Sequence, residues 1–313
     1  MKEQTKRILV PVDGSKSSLR ALEYLPLMYL PQKDLNLTLL YILPKLPRTL
    51  IDEEEYNRTI RSQIKSVEEK HVRMAEQILA EAKEILIEGG FKEGRIRPMY
   101  NKIEATIPKD ICHFARSQEA DAILLGRWGR TEVKNFFVGE ICDRLVECCE
   151  GFPLWIMGSK VDSKKVLVCV DGSANALRAV EHAGLMLGGT DCEVTLFHTI
   201  THLRRFLPIG VLEGAYELKN LWKEKSEEQI STYMEKAIDT LLNAGVIADK
   251  IVVKTMEGTR SPANDILNEA LRNGYGTVVL GRRGISMVNE FFMGSVTKKI
   301  LLHLNELAVW IVH

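Results

Sequence analysis

The residues best suited to chemistry are Gly281, Gly284, Gly294 and Ser295, within GRRGISMVNEFFMGSVT (281–297). Glycine fits where a backbone takes positive φ or must approach a ligand closely. The preceding TVVLG (277–281) is a short β-branched run that predicts a buried strand. The following SVTKKILLHL (295–304) has apolar residues at helical spacing and a Ser at its start, which predicts a capped helix. A helix N-terminus offers unpaired N–H groups and a partial positive charge, which suits a phosphate. For a single loop the alternative is a surface connection whose glycines only shape turns. The loop, however, occurs twice. GRWGRTEVKNFFVGEIC (126–142) repeats it, with Gly126, Gly129 and Gly139 in the glycine positions and Phe136–Phe137 matching Phe291–Phe292. In this copy Glu140 stands where the other has Ser295, and Trp128 adds bulk.

The elements that must position these loops are duplicated as well. ILVPVDGS (8–15) recurs as VLVCVDGS (166–173), and Leu19, Arg20, Ala21 and Glu23 recur as Leu177, Arg178, Ala179 and Glu181. Trp155 and Trp310 also correspond. This is an internal duplication. In the first half, strands are predicted at 8–12, 35–43, 95–100, 121–126 and 153–157, with helices over 18–30, 66–88, 107–117 and 140–149 between them. The second half repeats the order, with a long helix over 221–243 and a shorter one over 263–272. Alternating strands and helices predict an α/β fold: two tandem, doubly wound, five-stranded parallel sheets with helices on both faces. The expected domains are 1–159 and 164–313. Ligands of such folds bind beyond the carboxyl ends of the strands, where both the DGS turns and the glycine loops fall. The charged inserts at 45–65 and 202–226 are expected to be surface excursions or lids.

At 313 residues with 45% hydrophobic and 27% charged side chains, the chain has an ordinary globular composition. Lys+Arg and Asp+Glu both number 42, so no global charge draws it to nucleic acid or an anionic membrane. MKEQTKR runs straight into a strand without the apolar core of a signal peptide, and no apolar run approaches a bilayer span. The six cysteines form no CxxC pair and no disulfide-like spacing, so they read as small core residues in a reducing cytoplasm. Cys148–Cys149 reads as packing rather than redox chemistry. Neither GxSxG nor GxxxxGK[ST] occurs. His198 and His202 form an HxxxH, but the first ends a strand, where that spacing does not bring two metal ligands together. No residue set amounts to a catalytic constellation, and no metal site is expected.

With these residues in place, the chain resembles the universal stress protein family in its tandem two-domain form, over almost its whole length. That resemblance implies a Rossmann-like fold akin to adenine nucleotide hydrolases. ATP-binding members carry G-x2-G-x9-G-[S/T], which Gly281, Gly284, Gly294 and Ser295 satisfy. The resemblance therefore implies an adenine nucleotide, ATP with Mg²⁺, against Gly284, Gly294 and Ser295, with Val296 and Thr297 close behind. It places Asp171 near the nucleoside or Mg²⁺, Cys169 along the cleft and Thr199 at the adenine. Asp171 has an equal alternative role, closing an Asx turn. Arg282 and Arg283 could reach the phosphates or lie solvated. In the first half, Glu140 would set a like charge against a phosphate, so a weak or absent site is expected there. Pro11, Asp13, Ile42, Gly126, Gly129 and Gly139 would keep its general shape. Family members pair through the fifth strand, which implies docking of the two halves within the chain and a homodimer of the whole.

Overall fold

A computed structural model of the chain describes all residues except 1–4, 31–34, 55–56, 127–143, 150, 159–160, 201–202, 204–208, 260, 284–293 and 303–306. Trp128, Gly129, Gly139, Glu140, His202 and Gly284 lie outside the described residues. The chain divides into two compact units, Met1–Cys149 and Glu150–His313.

In the first unit, β1 (Lys6–Pro11), β2 (Leu35–Leu43), β3 (Ile96–Lys102) and β4 (Ala122–Gly126) form a parallel sheet in the order β3-β2-β1-β4. The second unit contains β5 (Leu154–Met157), β6 (Lys165–Cys169), β7 (Glu193–Ile200), β8 (Ile251–Glu257), β9 (Thr277–Gly281) and β10 (Ala308–Val312). Their order is β5-β10-β9-β6-β7-β8. Five of them are parallel, and β5 runs antiparallel to β10. The strand at 154–157, which the sequence pattern assigns to the end of the first half, is thus part of the second unit.

The sequence dictates which strands sit inside. β4 and β10 are buried at every residue, as a strand covered on both faces requires, whereas β3 and β8 expose most of theirs. From β6 the chain winds outward through β7 to β8, then returns to the other side for β9 and β10. The strand order therefore reverses between β6 and β9, the position at which such sheets open a crevice.

Two helices differ informatively from their sequence patterns. The helix expected over 18–30 is split into Lys16–Leu22 and Tyr24–Tyr29. Pro26 has no N–H to continue a helix, but in the first turn of a new one none is needed. The long helices begin earlier than expected, at Arg58 and Tyr216. The Asn57 side chain accepts the N–H groups of Thr59 and Ile60 and so starts the first of them within the charged insert.

Within the second unit, β5 and β10 place Trp155 directly opposite Trp310. The two indoles stack with centroids 3.9 Å apart and planes 1° from parallel. His182, from the helix Ala174–Leu187, meets both rings edge-on and accepts the Trp155 Nε1–H at 3.0 Å.

The cysteine reading needs correction. Cys112, on the helix Ile107–Ser117, and Cys149 form a disulfide across 37 residues, with Cα atoms 5.5 Å apart. Spacing along the chain could not reveal it, because the packing of that helix against the end of the unit brings the thiols together. The spacing argument for a reducing compartment falls with it. Cys148 is a free thiol whose sulfur lies 3.8 Å from that of Cys112. Closing a loop of this length restricts the unfolded chain, and loop-closure entropy puts the stabilisation at about 3–4 kcal/mol. Dithiothreitol should therefore lower the urea midpoint of the first unit, and an unchanged midpoint would refute that contribution. Among the described residues no helix is long and apolar enough to cross a membrane.

Candidate functional site

Two turns flank the point where β6 and β9 diverge. After β6, Asp171 Oδ1 accepts the Ser173 N–H at 3.0 Å and closes an Asx turn. Gly172 takes φ +81°, a region that favours glycine. Ser173 then caps the helix Ala174–Leu187 by accepting the Ala176 N–H at 3.1 Å. The first unit builds the same turn with Asp13, Gly14 at φ +79° and Ser15. The duplicated DGS is therefore a turn and a helix cap. The Asp171 turn role is present, and the same residue also borders the cleft described below.

The second turn follows β9. A Cβ on Gly281 would come within 2.9 Å of the Asn175 backbone, so glycine lets the strand end pack against the start of the helix after β6. Gly126 has the same role against the Ser17 carbonyl. Gly294 donates its N–H to the Arg282 carbonyl at 3.0 Å, while its own carbonyl accepts the Lys298 N–H at 3.0 Å. It is therefore the cap of the helix Ser295–Leu302 and allows close approach without supplying a donor. The N–H groups of Ser295, Val296 and Thr297 belong to the first turn, whose donors have no carbonyl within the helix. The Thr297 side chain is buried, and its hydroxyl donates to the Gly281 carbonyl at 3.3 Å, tying the helix start to β9.

These turns border a cleft of about 510 Å³, within the range of small-molecule sites. Its wall brings together Cys169, Asp171, Thr199 and Gly281 with Gly294, Ser295, Val296 and Thr297. Burial, with the Asp171 carboxylate adding to it, pushes the Cys169 thiol far above its usual range, so it lines the cleft as a protonated group and not as a nucleophile. Thr199 is already engaged, since its hydroxyl donates to Asp265 Oδ2 at 3.3 Å. Asp265, only 3% exposed, also accepts the Thr259 N–H at 2.9 Å and its hydroxyl at 2.7 Å, which pins the loop after β8. The His198 Nδ1–H donates to the Val170 carbonyl at 2.7 Å, and burial lowers the pKa of its ring. His198 thus presents a neutral Nε2. The two arginines separate: Arg283 borders the cleft, whereas Arg282 is buried and donates to His313 Nδ1 at 2.8 Å.

The sequence reading missed one whole wall of the cleft. Trp222, Ser226, Ile230 and Tyr233 line it from the helix Tyr216–Asn243. Their spacing of four, four and three is a helical face, a signal present in the sequence but embedded in a strongly charged stretch. In the first unit, Pro11, Ile42 and Gly126 lie at the carboxyl ends of β1, β2 and β4, with Asp13 exposed on the turn after β1. Among the described residues no group of three or more His, Cys, Asp or Glu could hold a metal ion.

Comparison with known proteins agrees with this architecture. The Universal stress protein family matches residues 4–150 and again 163–313. The universal stress protein YxiE of Bacillus subtilis is 28% identical over 145 residues, covering 44% of this chain and 90% of its own. The universal stress protein MJ0531 of Methanocaldococcus jannaschii is 28% identical over 139 residues, covering 44% of this chain and 75% of its own. The crystal structure of a universal stress protein from Archaeoglobus fulgidus aligns over 99% of this chain and 98% of its own, with a TM-score of 0.65 at 19% identity, a likeness of fold. With two matched copies spanning nearly all of its sequence, the chain belongs to the universal stress protein family as a tandem of two family domains.

Proposed function

We propose that this protein is an ATP-binding regulatory protein with one competent site, in the cleft of its second half. The observation that carries the reading is the first turn of the helix Ser295–Leu302, whose N–H groups border a 510 Å³ cleft at the reversal of strand order. Three main-chain donors, the Ser295 hydroxyl and the Arg283 guanidinium suit a polyphosphate. Mg²⁺ accompanying the nucleotide would neutralise phosphate charge, and Asp171 is the carboxylate on the cleft wall that would face it. The first half, with Glu140 in place of the serine, is read as binding ATP weakly or not at all. Pairing of the two fifth strands within the chain, and a homodimer of whole chains, belong to the same reading.

The reading is binding and not catalysis. Cys169 is held protonated, His198 is neutral with one nitrogen committed to Val170, and Asp265 is consumed by its three donors. Calorimetric titration of the full chain with Mg-ATP should show one saturable site and no phosphate release attributable to the cleft. Absence of any binding heat at millimolar nucleotide would overturn the proposal.

A further inference from the structure

We infer that Cys148 is a relay thiol, through which low-molecular-weight thiols and disulfides in solution break and remake the buried Cys112–Cys149 bond. All three cysteines belong to the first unit, so the inference is independent of the nucleotide reading.

Three sulfurs meet at one place. Cys112 comes from the helix Ile107–Ser117, while Cys148 and Cys149 are consecutive residues at the end of the helical segment 144–148. Leu145 and Val146 are buried, and the Cys149 N–H donates to the Leu145 carbonyl at 2.8 Å, which fixes where both cysteines stand. Cys112 and Cys149 are only 8% and 1% exposed. A thiolate must touch a disulfide sulfur to attack it, so a reductant in solution has little direct access to this bond. Cys148 is exposed, and its sulfur lies 3.8 Å from Cys112 Sγ. An oxidised Cys112 has no hydrogen on sulfur, so the S–H in that contact belongs to Cys148. The free thiol therefore touches both solvent and the sulfur it would attack.

The step is an internal exchange. The Cys148 thiolate attacks Cys112 Sγ, the Cys112–Cys148 bond forms and the Cys112–Cys149 bond breaks. Cys149 leaves with the electron pair and takes up the proton that Cys148 released, so no oxidant or reductant is consumed. The new bond contains an exposed sulfur. An external thiolate attacks Cys148 Sγ and releases Cys112 as a thiol. A second external thiolate then displaces Cys148 from the mixed disulfide. Two small thiols become one disulfide as the protein disulfide becomes two thiols, and the reverse order remakes the buried bond. Burial raises the Cys148 thiol pKa, with the Lys109 ammonium, one turn before Cys112, opposing this and Glu147 adding to it. Contact offsets the smaller thiolate fraction, because the attack needs no encounter from solution.

The test follows the Cys112–Cys149 linkage by peptide mass while the full chain is reduced with glutathione in the absence of denaturant. Cys148→Ser should be reduced roughly 10-fold or more slowly than the unaltered chain, because the solvent-facing route is lost. In concentrated urea, where every sulfur is accessible, the two proteins should react within about twofold of each other. Equal rates without denaturant would overturn the inference. A slow Cys148→Ser reaction that persists in urea would also overturn it, because the difference would not come from access. Cys149→Ser, reduced and then exposed to oxidised glutathione, should close a Cys112–Cys148 bond. A product with glutathione on Cys148 and no such bond would overturn the inference, because the exchanged linkage would be out of reach.

Discussion

Acidification below pH 6.5 should destabilise the second unit, and the His182 side chain by itself should contribute about 1.4 kcal/mol per pH unit. This imidazole is buried against the stacked Trp155 and Trp310, and burial holds its pKa down at about 3. In the unfolded chain it titrates near the ordinary value of 6.5. Between those two values the unfolded state binds a proton that the folded state does not, so lowering the pH favours unfolding. Above 6.5 neither state is protonated and this dependence disappears. The bond at stake is specific, because Nε2 must be unprotonated to accept the Trp155 Nε1–H. His182→Gln retains an acceptor of similar reach and cannot titrate, so it should reduce the slope by that share, leaving the part due to His313 and His198, whose pKa values burial also lowers. Urea unfolding of the full chain, followed by near-UV circular dichroism between pH 4.5 and 7.5, separates the cases. A slope shared by both proteins would remove His182 as its source.

Ser295→Glu should weaken ATP binding strongly while leaving the fold at least as stable. The two effects have opposite signs because they act on the same partial charge. A carboxylate in the first turn of the helix Ser295–Leu302 is favourable by about 0.3–1 kcal/mol. Against a triphosphate at about 4 Å, the same carboxylate costs roughly 1–4 kcal/mol per charge pair, depending on solvent access. Affinity should fall by about 10- to 1,000-fold. Ser295→Ala, which removes one hydrogen bond to a charged phosphate and adds no repulsion, should cost about 10- to 100-fold. Calorimetry paired with thermal unfolding distinguishes them, and a Glu variant that binds like the unaltered chain would remove Ser295 from the site. The chain already contains a counterpart of this variant, since its first half has Glu140 at the equivalent position.

Much of the fold was legible because both halves repeat the same local signals. Buried β-branched strands, DGS turns and capped helices declare themselves within a few residues, and duplication confirms the order. The candidate cleft was legible in part: Cys169, Asp171, Thr199 and the residues from Gly294 to Thr297 line one cleft. What could not be read was what each group is committed to. Gly281 is glycine because Asn175 is close, the Gly294 N–H is spent on Arg282, and the Thr199 hydroxyl is spent on Asp265. These are contacts between distant parts of the chain. The helical wall of Trp222 and Tyr233 was hidden for another reason: its apolar face lies within a helix whose remaining positions are mostly charged. The disulfide, like the Trp155–His182 bond, depends on packing that no spacing rule anticipates.

The link between Cys112 and Cys149 also changes what a broken backbone means for the first unit. It converts the intervening stretch, which includes β4 and the whole 126–142 loop copy, into a covalent ring. A protease that cuts once inside that ring releases no fragment. The two new ends stay tethered through sulfur, and β4 keeps a covalent connection to both sides of the cut. A cut anywhere else in the unit severs the chain. The ring thus makes one glycine loop of this protein tolerant of cleavage in a way that its partner copy at 281–297 is not.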